Sequence, residues 1–135
     1  MGGLACVDVY VAREAAGPRR EFFGLGGSGC YTLTYNHDGG LLHRGDLLFR
    51  VTLYDRRLDI GAGIFGSYWS HPDKPPDAGG GLTVNPRYFF QPALTQYGVR
   101  PFVGGNIDLG GIYGGPNSVF NIYLGARTAA GIQWN

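Results

Sequence analysis

Residues 100–114, RPFVGGNIDLGGIYG, and residues 119–134, VFNIYLGARTAAGIQW, decide the fold of this chain. In both segments apolar residues alternate with glycine and polar residues at a period of two, which is the side-chain period of a β-strand. Glycine weakens an ordinary strand because it packs nothing and adds backbone entropy. Strands that contain this much glycine predict a sheet with tight curvature or close backbone approach, such as a small barrel.

Seven segments read as strands, because each keeps the period of two and ends at Gly, Pro, Asp or Asn. They are residues 4–12, 22–35, 46–54, 58–70, 81–91, 98–113 and 119–134. One helical turn is expected at 12–16, where Gly17-Pro18 ends it. No internal repeat or second core divides the 135 residues. We therefore predict one all-β domain over 1–135.

The two faces of these strands differ in composition. One face is aliphatic and aromatic. The other carries glycine, no lysine or glutamate, and five scattered charges: Arg50, Asp59, Arg87, Asp108 and Arg127. Buried charges persist only as pairs, a role that suits arginine. We expect the aliphatic face to point outward to lipid and these charges to form a network in a narrow lumen. The alternative is a soluble barrel or sandwich with the aliphatic face as its core, which would act as a ligand-binding or assembly module.

Strand length, connections and aromatic residues also favour a membrane sheet. A tilted membrane strand needs about 9–11 residues. Long polar connections at 36–45 and 71–80 alternate with short ones at Asp55-Arg56-Arg57 and 92–97. Aromatic residues gather near strand ends, as in interfacial girdles, although a soluble aromatic core is the other explanation. They are Tyr54, Tyr68, Trp69, Tyr88, Phe89, Phe90, Phe102, Tyr113, Phe120 and Trp134.

The stretch 100–134 resembles the closing hairpin of small bacterial outer-membrane β-barrels. That hairpin often begins with Arg or Thr, followed by Pro and an aromatic residue, and then continues with glycine alternating with apolar residues. The resemblance implies an antiparallel up-and-down β-barrel of about eight strands in the bacterial outer membrane, with membrane lipid as its partner. It implies a structural, adhesive or loop-mediated binding role. Seven strands are counted, so an eighth would be missing at the N-terminus, split from 22–35 or given by a partner.

Polar and aromatic side chains in and beside the long connections are the candidate binding residues, and a protein partner would contact these loops. They are His37, Asp38, His43, Tyr68, Trp69, His71, Asp73 and Lys74. Residues 36–39 resemble the middle of a calcium loop, but Thr34 and Gly45 stand where the required acids belong. His37, Asp38, His43 and Asp46 could meet a metal only if the loop folded on itself. We expect no metal and no other cofactor.

Ser70, His71 and Asp73 are the residue types of a nucleophile, a base and an orienting acid. Adjacent side chains of an extended segment point apart, which disfavours that role. Some of the barrels that this chain resembles are lipid A deacylases with His and Ser on a late strand, and residues 125–134 contain neither. We expect no catalytic residues, and a lipid-modifying hydrolase remains the third alternative.

Charge, cysteines and glycines exclude or disfavour other classes. A net charge of +1 and dispersed arginines offer no basic surface, so we expect no nucleic-acid partner. The sequence has no run of about 18 apolar residues, so it predicts no membrane helix. We expect no signal peptide in this chain. Cys6 and Cys30 have no zinc or CxxC spacing, and we favour unpaired thiols over a disulfide. Residues 24–29 fit GxGxxG, but a strand follows, which favours a curved strand.

Overall fold

A computed structural model describes residues 2–13, 23–53, 57–90, 99–114 and 119–134, which form seven β-strands and no helix. The strands are β1 (Gly2–Arg13), β2 (Phe23–Tyr35), β3 (Leu41–Leu53), β4 (Leu58–Ser70), β5 (Asp77–Phe89), β6 (Val99–Gly114) and β7 (Val119–Trp134). Over the described residues no α-helical transmembrane segment is found.

Each strand pairs antiparallel with its sequence neighbour, which gives one sheet in the order β1-β2-β3-β4-β5-β6-β7. The sheet is curled into a half-barrel. The prediction of an all-β, antiparallel up-and-down architecture with seven countable strands is therefore confirmed. Over the described residues no hydrogen-bonded ladder joins β1 to β7. Because the described strands are odd in number, β1 and β7 run in the same direction, and each has one edge that pairs with no other described strand.

Most strand boundaries follow the period-two pattern, and 58–70 and 119–134 match β4 and β7 at both ends. β3 and β5 begin earlier than predicted, because their first residues continue the ladders, with Leu41 opposite Ser70 and Ala78 opposite Tyr113. The predicted long connections are therefore wrong in length and shrink to 36–40 and 71–76.

The expected helical turn at 12–16 is wrong at its start, since residues 12 and 13 end β1. Its remainder lies outside the described residues. Tyr54, most of the predicted turn at 55–57 and the short connection at 92–97 also lie outside them. The GxGxxG segment lies in β2, as the curved-strand interpretation predicted.

The connection 36–40 is a tight turn that packs against the connection 71–76. The Asn36 amide donates to the Gly40 carbonyl at 3.0 Å, and the Gly39 amide donates to the Asn36 carbonyl at 3.1 Å. Gly39 has a φ of 83°, a left-handed conformation that glycine adopts without steric cost. A Cβ at Gly39 would lie 3.5 Å from Cγ of Pro72, so the two connections touch.

Cys6 and Cys30 form a disulfide between β1 and β2, so the expectation of unpaired thiols is wrong. The antiparallel register places Cys6 directly opposite Cys30. Their spacing in the sequence could not indicate this, because the register depends on the whole β1–β2 ladder. The disulfide attaches the edge strand β1 to its neighbour.

Burial is inverted relative to a water-soluble protein. Among the described residues the buried hydrophobic side chains are Leu48, Phe65 and Phe89, whereas the buried polar and charged ones are Ser28, Arg44, Asp46, Arg50, Thr52, Asp59, Thr83, Asn85, Arg87, Arg100 and Asp108. Phe49, Ile107 and Leu124 are 58%, 56% and 76% exposed. The aliphatic face therefore points outward, and it forms no core in this structure.

Candidate functional site

The candidate site is the interior of the curled sheet, where arginines of β3, β5 and β7 meet aspartates of β1, β3, β4 and β6. On β3 the period of two turns Arg44, Asp46, Leu48, Arg50 and Thr52 inward. Arg50 is completely buried. Its guanidinium donates to Asp59 of β4 and to the side-chain oxygen of Asn85 of β5. Its Nε lies 3.6 Å from Asp8 of β1.

A second group joins β3, β6 and β7 through Asp108. Nη1 and Nη2 of Arg44 donate to the two oxygens of Asp108 at 2.7 and 2.9 Å, which is a bidentate pair. The Nε of Arg44 also donates to Asp46 at 2.8 Å. Arg127 donates to Asp108 at 3.2 Å, and 37% of its side chain is exposed. One carboxylate thus serves two arginines.

Arg87 extends the network across the interior to the edge strand β1, where its Nη1 donates to Asp8 at 2.8 Å. Its Nε donates to the Asn85 side-chain oxygen at 3.1 Å. Asn106 of β6 donates to the Thr83 hydroxyl at 3.0 Å. These interior contacts join β1, β3, β4, β5, β6 and β7, and they hold the sheet in its curl.

Asn85 also repairs an interruption in the β5–β6 ladder. The register runs from Val84 opposite Ile107 to Arg87 opposite Gly104, without pairs at Asn85 and Pro86. Proline has no N–H to donate. The Asn85 side-chain amide donates to the Gly105 carbonyl at 2.8 Å. A side chain therefore satisfies a carbonyl at the gap in the backbone ladder.

Interior aromatic rings cover the arginines. The Cζ atoms of Arg44 and Arg100 lie 4.0 and 3.8 Å from the ring centroids of Phe65 and Phe89, and that of Arg87 lies 5.5 Å from the Phe102 centroid. These are cation–π distances. The placement of Phe89 and Phe102 in an interfacial girdle is therefore wrong, because both rings turn inward onto arginine.

Inward-facing glycines make room for these large side chains. A Cβ at Gly61 would lie 3.2 Å from the Arg50 guanidinium. One at Gly104 would lie 2.5 Å from the Pro86 carbonyl oxygen and 3.2 Å from Cγ of Arg87. At Gly131 it would lie 2.9 Å from the Phe102 ring. Close approach of a side chain thus explains the glycines at 61 and 131, and close approach of the Pro86 carbonyl explains Gly104.

The five charges predicted for the lumen all take part in interior contacts. Arg50 and Asp59 form one pair, Arg127 and Asp108 form another, and Arg87 pairs with Asp8. Sequence reasoning missed Asp8, Arg44, Asp46 and Arg100. For Arg44 and Asp46 the available signal was their even spacing from Arg50, which places them on its face once β3 begins at residue 41.

The predicted binding residues divide between loops and strands. His37 and Asp38 lie in the exposed turn 36–40, and His71, Asp73 and Lys74 lie in the connection 71–76 at the same end of the sheet. His43 lies in β3, so its predicted place in the connection 36–45 is wrong. Tyr68 and Trp69 lie near the end of β4, inside the predicted strand 58–70. The ladder continues past these residues, with His43 opposite Tyr68 and Leu42 opposite Trp69.

Several side chains near the turn 36–40 and the connection 71–76 contact one another. The rings of Trp69 and His71 stack at 5.0 Å, and Nε2 of His71 lies 3.1 Å from Oδ2 of Asp77. On the outer face, the Tyr31 hydroxyl lies 2.6 Å from Nδ1 of His43.

The four side chains considered for a metal do not converge. Asp46 points inward to Arg44, whereas His43 lies on the opposite face of β3. In the described part of the chain no group of three or more His, Cys, Asp or Glu side chains is arranged to hold a metal ion.

Ser70, His71 and Asp73 also do not form the hydrogen-bonded nucleophile, base and acid of a hydrolase. The Ser70 hydroxyl donates to the Leu41 carbonyl at 3.3 Å. His71 contacts Asp77, not Asp73.

Fold and interior together define an antiparallel half-barrel with a hydrogen-bonded, charged interior and an apolar exterior. No family model, curated protein or solved structure matches this chain. The proposals for its function therefore depend on the geometry alone.

Proposed function

We propose that this protein is a small outer-membrane β-barrel protein whose apolar exterior contacts lipid and whose interior is filled by side chains. The observation that carries the proposal is the inverted burial: Arg50 is 0% exposed while Leu124 is 76% exposed. In water, a continuous apolar exterior of this kind is unfavourable. In a bilayer the same exterior is solvated by acyl chains, while polar groups must be satisfied inside the protein.

Side chains that cross the interior favour a structural, adhesive or binding role over conduction. Arg44, Arg50 and Arg87 reach across the space that a pore would need, and rings of Phe65 and Phe102 occupy more of it. An interior of about eight strands is only wide enough for side chains. Contacts with a protein partner would involve the turn 36–40 and the connection 71–76, which lie together at one end of the sheet.

The disulfide supports a location outside the cytosol. Disulfides persist in oxidising compartments such as the periplasm and the cell surface and are rare in the cytosol. Cys6 and Cys30 are the two cysteines of the chain, and they are bonded to each other. This agrees with a protein that folds after export.

The test places an arginine on the outer face. Ile107 lies in the middle of β6 and is 56% exposed. In lipid vesicles, Ile107→Arg should lower the free energy of unfolding by about 2–4 kcal/mol, because an arginine near the bilayer midplane is costly. The matched control, Asp73→Arg in the exposed connection 71–76, should change it by no more than about 0.5 kcal/mol. Denaturant titration of vesicle-refolded protein measures both.

A soluble protein would give the opposite result. Arginine at an exposed position in water should be nearly neutral, so equal stability of both variants would contradict the proposal. A wild-type protein that stays monodisperse at high concentration without detergent would contradict it as well. Gel mobility of heated and unheated samples supplies an independent readout of the folded sheet in detergent.

A further inference from the structure

A depression of about 740 Å³ lies on the outer face of β1 to β4. Tyr31 borders it, and inward-turned residues of the same four strands complete its lining. Gly45 and Gly66 lie opposite each other in its middle, and no atom would lie within 4 Å of a Cβ at either position. Its apolar outward side chains are Ala5, Val7, Leu47 and Ile64. The outer face is therefore not uniform, because it has an apolar recess at this place.

Three polar ring side chains stand beside the depression, on the side nearest the turn 36–40. We call Tyr31, His43 and Tyr68 the polar cluster. The Tyr31 hydroxyl lies 2.6 Å from Nδ1 of His43, and Tyr68 lies directly opposite His43 in the β3–β4 ladder. Both tyrosines are exposed. On a face that contacts lipid, polar groups need polar partners, because acyl chains supply none.

The polar cluster retains hydrogen-bond donors for a ligand. A tyrosine hydroxyl that donates to Nδ1 leaves the proton of a neutral imidazole on Nε2. Among the described residues, neither Nε2 of His43 nor the hydroxyl of Tyr68 has a hydrogen-bond partner. Two donors of the polar cluster can therefore bind the oxygen atoms of one ligand group.

The position of the polar cluster along the strands fits the headgroup level of a bilayer. His43 is the third residue of β3, and Tyr68 is the third residue from the end of β4. Gly45 and Gly66 lie two residues farther in, which is about 7 Å at the rise of a β-strand. Tyrosine is typical of the interface between membrane and water. A ligand that occupies both places must have a polar head and an apolar chain.

We propose that the polar cluster and the depression bind one phospholipid. An acyl chain lies in the depression over Gly45 and Gly66, and the phosphate accepts hydrogen bonds from Nε2 of His43 and the hydroxyl of Tyr68. An ionised phosphate suits these donors, because hydrogen bonds to a charged acceptor are the stronger ones. The proposal rests on the proposed function, since only a protein in a bilayer presents this face to lipid.

The test compares phosphatidic acid with diacylglycerol of the same acyl chains, because the two lipids differ only in the phosphate. Protein folded in dodecyl maltoside micelles, whose headgroup carries no phosphate, is mixed with each lipid. Native mass spectrometry then counts the lipids that the protein retains. We expect one phosphatidic acid per protein, bound at least about tenfold more tightly than diacylglycerol, because diacylglycerol lacks the charge-assisted hydrogen bonds. Glycerol 3-phosphate, which has no acyl chain, should not compete at equal concentration.

Two pairs of variants assign the two parts of the site. His43→Phe keeps a ring but removes the donor, so it should weaken phosphatidic acid binding at least about tenfold and leave diacylglycerol binding unchanged. His37→Phe, in the exposed turn 36–40, is its matched control and should change neither. Gly66→Leu fills the depression and should weaken both lipids, whereas Ala62→Leu, at an exposed position of β4 outside the depression, should weaken neither. Gel mobility of heated and unheated samples verifies that each variant is folded.

The wild-type comparison decides the proposal without any variant. Equal retention of phosphatidic acid and diacylglycerol overturns it, and so does unchanged phosphatidic acid binding in folded His43→Phe protein. Failure of the Ile107→Arg vesicle test would instead overturn the proposed function itself. A protein that passes the vesicle test but does not distinguish the two lipids is a membrane protein without this site, so the two failures are distinguishable.

Discussion

Arg50 is the residue on which the interior depends most. It is completely buried and contacts Asp59, Asn85 and Asp8, which belong to three different strands. A buried ion pair contributes little compared with a hydrophobic replacement of both partners, but removal of one partner leaves the other charge without compensation.

We expect Arg50→Ala to lower the free energy of unfolding by about 3–5 kcal/mol, the cost of breaking a buried pair. Lys74→Ala, in the exposed connection 71–76, should change it by no more than about 0.5 kcal/mol. Denaturant titration of refolded protein compares the two variants. Similar losses in both would argue against a paired interior.

Two glycines of β4 separate close packing from open space. Gly61 faces inward, where a Cβ would lie 3.2 Å from the Arg50 guanidinium, whereas no atom would lie within 4 Å of a Cβ at Gly66 on the outer face. Gly61→Ala should therefore destabilise the protein by about 1–3 kcal/mol through overpacking. Gly66→Ala should be neutral or stabilising by up to about 1 kcal/mol, because it restricts the unfolded chain. Thermal unfolding of both variants measures the difference, and equal effects would show that Gly61 makes no room for Arg50.

At the scale of elements, the edge strand β1 is held by two kinds of contact. Its ladder with β2 includes the Cys6–Cys30 disulfide, and Asp8 receives Arg87 from across the interior. Its other edge has no strand beside it among the described residues. β1 is thus paired on one side only, and the disulfide compensates for the missing neighbour.

Reduction of the disulfide should destabilise the protein by about 2–4 kcal/mol. The loss should appear first as faster hydrogen exchange in β1, since an edge strand opens more easily than an interior one. Exchange measured by mass spectrometry with and without reductant tests this, with β4 as the internal reference strand. Uniform acceleration across β1 and β4 would contradict a local role for the disulfide.

The elements were predictable because period-two alternation is a local signal. β4 and β7 follow directly from it, and the inward position of Arg50 and Arg127 follows from their spacing in β3 and β7. The disulfide, the pairing of Asp8 with Arg87 and the inward turn of Phe89 depend on register and curl, which involve residues far apart in sequence. Aromatic residues at strand ends also fit two environments equally, and the burial of Phe89 and its cation–π contact with Arg100 show which one it occupies.

At the scale of the whole molecule, the seven described strands curl around an interior that is polar and hydrogen-bonded and that contains the rings of Phe65, Phe89 and Phe102. Water-soluble sheets place their aliphatic face inside, and this sheet places it outside. Polar or small residues alternate with apolar residues along the strands, and this one pattern produces both the charged interior and the apolar exterior. The exterior therefore decides the solvent in which this protein is stable, and the interior decides how far the sheet curls.

The odd number of strands in the described residues also has a consequence for sidedness. β1 starts at the end of the sheet that carries the turn 36–40, and β7 finishes at the opposite end. If the sheet spans a bilayer, a label attached before β1 and a label attached after β7 face different aqueous compartments. An even-stranded barrel would present both labels to the same compartment. The side of a sealed vesicle on which each label lies would therefore distinguish this chain from such barrels.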